Sequence, residues 1–153
     1  MPIFLTWSNE LPGSVQTALQ ELGVKKTFFI GGTMVVSAEV ERKLPDPVRF
    51  GGADRYETSL LVAKNMQMDT GTVFFASGKN FPDALAGSPY AAWTNSPIIL
   101  VSDNPPSIAK YRELLTKPTR NVFILGGESV ISDELLFYME NNHFPKIVVY
   151  YEV

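Results

Sequence analysis

Four groups of residues carry chemistry suited to recognition or catalysis. Arg55, between Asp54 and Tyr56, offers a planar fork of donors that fits a phosphate or a carboxylate. Lys79-Asn80-Phe81-Pro82-Asp83 sets a cation beside an amide able both to donate to and to accept from sugar hydroxyls. Gly31-Gly32 and Gly126-Gly127 could present backbone amides to an anion, and Asp54 with Asp83 could share acid and base work. Each has a plainer reading. Asp54 can cap a helix while Arg55 pairs with an acid such as Asp83. Asn-x-Pro-Asp makes a good turn into a helix. The Gly-Gly pairs suit tight turns after strands, and they lack the spacing of a dinucleotide fingerprint and the lysine of a P-loop.

Positioning these residues requires strands and helices in alternation. Short apolar runs at 2–6, 26–30, 72–76, 97–101, 121–125 and 146–151 read as strands buried on both faces of a parallel sheet. Asp54-x-x-Glu57 reads as a capping box opening a helix through about Gln67, and Pro82-Asp83 starts another that ends near Asn95. Ser37 and Ser132, each followed closely by acids, are N-cap candidates, and helices also fit 13–22, 107–116 and 132–141. The alternation implies a Rossmann-like layered α/β fold with a mainly parallel sheet flanked by helices. In such sheets ligands lie beyond the carboxyl ends of the strands. The loops Ser77 to Asp83, Ser102 to Ser107 and Gly126 to Ser132 hold that position. The candidate ligand-binding set is therefore Asp54, Arg55, Ser77, Lys79, Asn80, Asp83, Asn104, Gly126 and Gly127.

The chain also repeats itself at an offset of 95 residues. Pro2-Ile3-Phe4-Leu5 matches Pro97-Ile98-Ile99-Leu100, and Phe28-Phe29-Ile30-Gly31-Gly32 matches Phe123-Ile124-Leu125-Gly126-Gly127. Asn9, Leu19, Val35, Ser37 and Glu39 match Asn104, Leu114, Val130, Ser132 and Glu134 in the same register. One register aligning every match argues for duplication. Residues 2–44 then form the second half of one copy, 48–142 a complete copy and 143–153 a terminal strand, all within one compact unit, 1–153. Pro45-Asp46-Pro47 is the connector, because proline ends helices and biases its predecessor toward extended backbone.

Composition excludes several functions. The net charge of −3 provides no broad positive field for nucleic acid or an anionic membrane, so an anionic partner must be held by a local group of Arg and Lys. With no cysteine and a single histidine, His143, there are no disulfides and no thiolate nucleophile, and no His or Cys metal site is expected. Ser77 and Ser88 have no other histidine to serve as base, so the chain reads as a binding module needing no cofactor. No apolar run approaches the roughly 20 residues that span a bilayer, and residues 1–6 do not read as a signal peptide, so any export signal is expected outside this chain. Trp7 and Trp93 could stack on sugar rings, but Trp93, in an Ala-rich helix, suits the core or a subunit interface.

Three segments in order carry a resemblance: Gly52-Ala53-Asp54-Arg55-Tyr56-Glu57-Thr58, Asn80-Phe81-Pro82-Asp83-Ala84-Leu85-Ala86-Gly87, and Ile124-Leu125-Gly126-Gly127. Together they closely resemble the type 2 cell-wall-binding repeat of Gram-positive surface and autolysin-associated proteins, over nearly the whole chain. The resemblance implies tandem copies, usually three, packed around a pseudo-threefold axis. It also implies non-covalent attachment to an anionic wall polymer, teichoic-acid-like or a secondary polysaccharide, at the cell surface. Partners would be further repeats of the parent or a homo-oligomer. This chain departs from the pattern, since its first copy lacks the Gly-Ala-Asp-Arg-Tyr-Glu-Thr half and a third copy is missing. Two rival readings stay open: a Rossmann-like domain of an enzyme binding a nucleotide or phosphorylated ligand, and a unit serving only self-assembly.

Overall fold

A computed structural model of the chain describes residues 2–102, 119–127, 132–134, 137, 141 and 147–150. The chain divides into two compact units, Met1–Asp54 and Arg55–Val153, so the single unit expected is described as two. The division falls inside the Gly-Ala-Asp-Arg-Tyr-Glu-Thr segment rather than at Pro45-Asp46-Pro47.

In the first unit, α1 (Gly13–Glu21), β1 (Thr27–Ile30), α2 (Ala38–Glu41) and β2 (Pro47–Phe50) follow one another, and β1 and β2 form a two-stranded parallel sheet. Helix α1 stops because Gly23 takes a positive φ of 59°, which lets Val24 N–H bond the Leu19 carbonyl and Gly23 N–H that of Gln20. Helix α2 starts where expected: Ser37 Oγ accepts from Val40 N–H at 3.4 Å, with Glu39 and Glu41 in the first turn. Leu11, Phe29, Val36 and Val40 form the core, with Val15, Leu19 and Leu44 packed against it.

Two expectations fail in this unit. Residues 2–6 form no strand, and Ile3 and Leu5 are 87% and 86% exposed. A strand's backbone groups need a neighbour, and among the described residues this segment has none. Conversely, β2 escaped the sequence reading because Val48-Arg49-Phe50 has a charge at its centre. The fold satisfies that charge. Arg49 Nη1 donates to the Gly31 carbonyl and Nη2 to Glu41 Oε2, both at 2.8 Å, while the guanidinium lies 4.2 Å from the Phe29 ring centroid. Pro47 lies at the strand's first residue, where its missing N–H does least harm.

The second unit has α3 (Arg55–Asn65), β3 (Thr72–Ser77), α4 (Pro82–Trp93), β4 (Ile98–Val101), β5 (Asn121–Leu125) and β6 (Ile147–Tyr150). Its four strands are parallel in the order β4-β3-β5-β6. The expected parallel α/β architecture is observed. Central β3 has Val73, Phe74, Phe75 and Ala76 at 1% exposure or less. Helix α3 lies along edge strand β4, where Ser59 Oγ accepts the Leu100 N–H at 3.1 Å.

Helix α4 sits on the sheet through two fits. A Cβ at Gly87 would occupy the space of the Leu125 side chain, so the small residue permits close approach, whereas Ala86 beside it is exposed. The Tyr90 ring meets the stacked pair Phe74 and Phe123 edge-on, with centroids at 5.6 and 5.5 Å. Pro89 leaves the Leu85 carbonyl without its helical donor, and Ser88 Oγ donates to it at 2.8 Å instead. The helix ends with Asn95 at φ 50°, Ser96 N–H reaching the Ala91 carbonyl and Asn95 N–H that of Ala92. The expected helix at 107–116 lies outside the described residues; within 132–141, Asp133, Glu134, Phe137 and Asn141 are helical.

The two strand pairs share a register. Thr27 pairs with Pro47 and Val122 with Ile147, and Thr27 and Val122 are themselves 95 residues apart. Twenty residues separate the first pair and 25 the second, so the second copy carries five additional residues between its strands.

The close crossing at Gly51 gives a stability prediction. A Cβ there would lie 2.6 Å from the Gly31 carbonyl oxygen, a backbone atom that cannot rotate away. Gly51→Ala is expected to destabilise the first unit by about 1–3 kcal/mol, the usual cost of overpacking. Arg49→Lys, which cannot span both acceptors with one fork, should cost about 1–2 kcal/mol. Urea unfolding followed by amide exchange of core residues Phe29 and Val40 would check both.

Candidate functional site

The candidate residues gather where β3 ends. Ser77 is the last residue of the strand and is 2% exposed; its Oγ accepts from Lys79 N–H at 3.2 Å, turning the chain sharply. Gly78 N–H continues the ladder to the Val101 carbonyl at 2.9 Å. Arg55, the first residue of α3, donates from Nη1 to the Gly78 carbonyl at 2.7 Å, while Tyr56 lays its ring where a Gly78 Cβ would be. The Arg55-Tyr56 pair thus clamps the first residue after the strand from two sides. Arg55 therefore has this backbone carbonyl as a partner; the sequence reading also offers an acid such as Asp83.

This clamp sets the Arg55 guanidinium beside the Gly78-Lys79 peptide, with Arg55, Lys79 and Asn80 all exposed. Two cationic side chains and one amide therefore share a polar rim at the carboxyl end of the central strand. Arg55 Nη1 is engaged with the Gly78 carbonyl, and a guanidinium has five donors in all, so a fixed arginine can still bind an anion. Asp83 sits half-buried in the first turn of α4, complementing the positive pole of the helix dipole. Helix α4 begins at Pro82 as expected, but Phe81 holds the N-cap position without a side-chain cap. Asp54 directly precedes α3, at the N-cap position, and Glu57 is in the first turn.

Sheet topology places the rim at a recognisable point. From β3 the chain passes to β4 on one side, and from β5 to β6 on the other, so the strand order reverses between β3 and β5. Carboxyl ends at such a reversal leave a crevice suited to ligands. Gly126 follows β5 directly with φ 115°, matching Gly31 after β1 at 131°, so the first glycine of each pair serves a turn that other residues resist. The Gly31 amide is engaged with the Phe50 carbonyl at 2.8 Å, which weakens the reading of these pairs as phosphate cradles. Gly127 is half-buried beside Gly126. Asn104 and His143 lie outside the described residues.

Ser77 is the candidate that the geometry redirects: buried and occupied by the Lys79 amide, it shapes the rim without facing solvent. Trp93, expected in the core or an interface, is 82% exposed. Sequence reasoning also missed a groove in the first unit, of about 500 Å³, lined by Leu11, Leu19 and Leu44 and bordered by Lys25, Arg42 and Lys43. Its only sequence signal was the pairing of basic residues at Lys25-Lys26 and Arg42-Lys43. Among the described residues no group of three His, Cys, Asp or Glu could hold a metal ion, and no helix is long and apolar enough to cross a membrane.

Residues 49–136, which include the clamp, the rim and the Gly126-Gly127 turn, match the family Cell wall binding domain 2 (CWB2). The chain belongs to this family. It is 27% identical over 140 residues to N-acetylmuramoyl-L-alanine amidase LytC of Bacillus subtilis, covering 92% of this chain and 28% of that protein. To the amidase enhancer of the same organism it is 30% identical over 138 residues, or 88% of this chain and 18% of that protein. Among solved structures, Cwp8 from Clostridium difficile superposes with a TM-score of 0.80 at 32% identity, over 99% of this chain and 27% of that one. The chain thus spans under a third of the length of each of these relatives. Its family is one of cell-wall-binding modules, the resemblance that the sequence carried.

The clamp makes a prediction. Gly78→Ala must displace the Tyr56 ring and should destabilise the second unit by about 1–3 kcal/mol. Arg55→Ala removes the hydrogen bond to the Gly78 carbonyl from an exposed side chain and should cost at most about 1 kcal/mol. Thermal unfolding of the two variants beside the parent chain would check that order.

Proposed function

We propose that this module anchors a longer surface or secreted protein to the cell wall, non-covalently, by holding an anionic polymer, teichoic-acid-like or a secondary polysaccharide. The observation that carries the proposal is the exposed rim of Arg55, Lys79 and Asn80 at the carboxyl end of β3. Guanidinium and ammonium groups suit phosphate or carboxylate groups along such a polymer, and the Asn80 amide suits its hydroxyls. Asp83, in the first turn of α4, and Gly126-Gly127, after β5, complete the proposed site. The basic border of the first unit, with Lys25, Arg42 and Lys43, offers further points of attachment.

A few cations at a shallow surface bind weakly. The proposed mechanism is therefore multivalent, with tandem or associated copies raising the effective concentration of each rim for the next polymer segment. Exposed Phe81, Leu85 and Trp93 along α4 supply an apolar face against which further repeats or a second chain could pack. Activity such as the amidase reaction named for LytC would belong to the rest of a parent protein and not to this module.

Purified chain should sediment with isolated walls, and the bound fraction should fall as salt rises, since exposed charges are screened. Lys79→Ala combined with Arg55→Ala should weaken wall binding about tenfold, equivalent to about 1.4 kcal/mol shared by two cation contacts. Asn80→Ala should weaken it less. The proposal is lost if neither the chain nor an array of such modules sediments with walls that retain a known anchor, or if binding ignores both salt and these substitutions.

A further inference from the structure

The first unit keeps three cations that nothing among its described residues neutralises. Lys25, Arg42 and Lys43 are exposed, and their side chains form no ion pair or hydrogen bond among the described residues. Two acids close to them in sequence are engaged elsewhere: Glu41 holds Arg49 at 2.8 Å, and Asp46 lies 3.8 Å from Lys26. No acid lines the groove that the three cations border. The repeat does not need this charge in order to fold, because Phe137 and Tyr138 match Arg42 and Lys43 in the 95-residue register.

Between the cations lies an apolar floor. Leu11, Leu19 and Leu44 form it, in a groove of about 500 Å³ between α1 and the turn that follows α2. Hydrogen bonds fix its walls in advance. Gln16 Nε2 donates to the Leu11 carbonyl at 2.9 Å, Val24 N–H to the Leu19 carbonyl at 3.0 Å, and Leu44 N–H to the Glu41 carbonyl at 3.0 Å. A preformed site spends less of its binding energy on ordering.

The lining selects among occupants. A saccharide fits poorly, because sugar rings stack on aromatic faces and no aromatic residue lines the groove. An acyl chain fits poorly too, since the groove is open and carries exposed Gln16 and Gln20, leaving much of a hydrocarbon in water. A peptide satisfies both parts. One branched side chain can cover the leucines while flanking carboxylates reach Lys25 on the wall after α1 and Arg42 and Lys43 on the wall after α2.

We propose that this groove is a docking site for an acidic peptide segment of a partner protein, anchored by a leucine-type side chain on Leu11, Leu19 and Leu44. The anchor supplies affinity, and the cations steer the segment and fix its direction. The inference goes beyond the polymer reading and is independent of it, since no wall material enters its test.

The probe is a synthetic peptide, acetyl-Glu-Asp-Leu-Glu-Leu-Asp-amide, titrated into the full chain while amide resonances are followed by NMR. Amides of Gln16, Gln20, Gly23 and Lys25 should shift to saturation, and those of Lys79 and Asn80 should need at least about tenfold more peptide. Replacing both leucines of the probe by serine should weaken binding at least about tenfold, and so should Arg42→Glu combined with Lys43→Glu in the chain. Both substituted positions are exposed, and protected amides at core residues Phe29 and Val40 would report that the unit remains folded. Equal binding of the serine peptide overturns the proposal, because the border would then be a bare anion surface. So does displacement of the peptide by decanoate at lower concentration, because the occupant would then be an acyl chain, and so does a titration in which the groove amides do not move.

Discussion

Parallel pairing on both edges of β3 is the constraint from which the second unit is built. A strand buried on both faces can satisfy its backbone only through neighbours, and β4 and β5 supply them. Parallel neighbours cannot be joined by a tight turn. The chain must cross the sheet, and α4 makes that crossing between β3 and β4. The same arrangement forces β5 to the other side of β3 and so creates the reversal of strand order beside which Lys79 and Asn80 emerge. The exposed rim of Lys79 and Asn80 is thus a consequence of how one apolar strand is paired.

Glycines convert that topology into a surface. Gly78, Gly87 and Gly51 are each approached so closely that a methyl group would collide with Tyr56, Leu125 or the Gly31 carbonyl respectively. At Gly78 the close approach is what places the Arg55 guanidinium within reach of a backbone carbonyl, so the family's most recognisable segment is first of all a joint. Arg49 performs a comparable task in the first unit, holding the carbonyl of the glycine that follows β1. In both places an arginine's rigid fork holds a glycine turn that has no side chain of its own to anchor it. Candidate binding residues and structural residues are therefore partly the same residues. A guanidinium already held at one nitrogen by the fold loses less side-chain freedom when it meets an anion.

The two units contrast in how far their apolar sequence is used. Val73, Phe75, Ile99, Val122 and Ile124 are at 1% exposure or less in the complete sheet. Of their matches in the 95-residue register, Phe29 is buried like Ile124, whereas Phe4, which matches Ile99, is 39% exposed. Apolar character and β propensity are equally present in both, and burial differs because burial requires something on the other side.

Much of the architecture was legible in the sequence because it is local or periodic. Apolar runs marked β1, β3, β4 and β5, the Ser37 cap and Pro82 marked helix starts, and the 95-residue register paired Gly31 with Gly126, which share a positive φ. The family followed from motif residues alone. Tertiary structure decided what depends on partners distant in the chain. Residues 2–6 have strand composition and no strand, because among the described residues no strand lies beside them, while Pro47–Phe50 has a charge at its centre and is a strand, because the Gly31 carbonyl accepts from Arg49 and Glu41 neutralises it. Composition likewise offered Ser77 as a ligand group, and only the fold assigned its hydroxyl to the Lys79 amide. A sequence records which groups can pair; folding decides which of them find a partner, since hydrogen bonds and burial are properties of two surfaces.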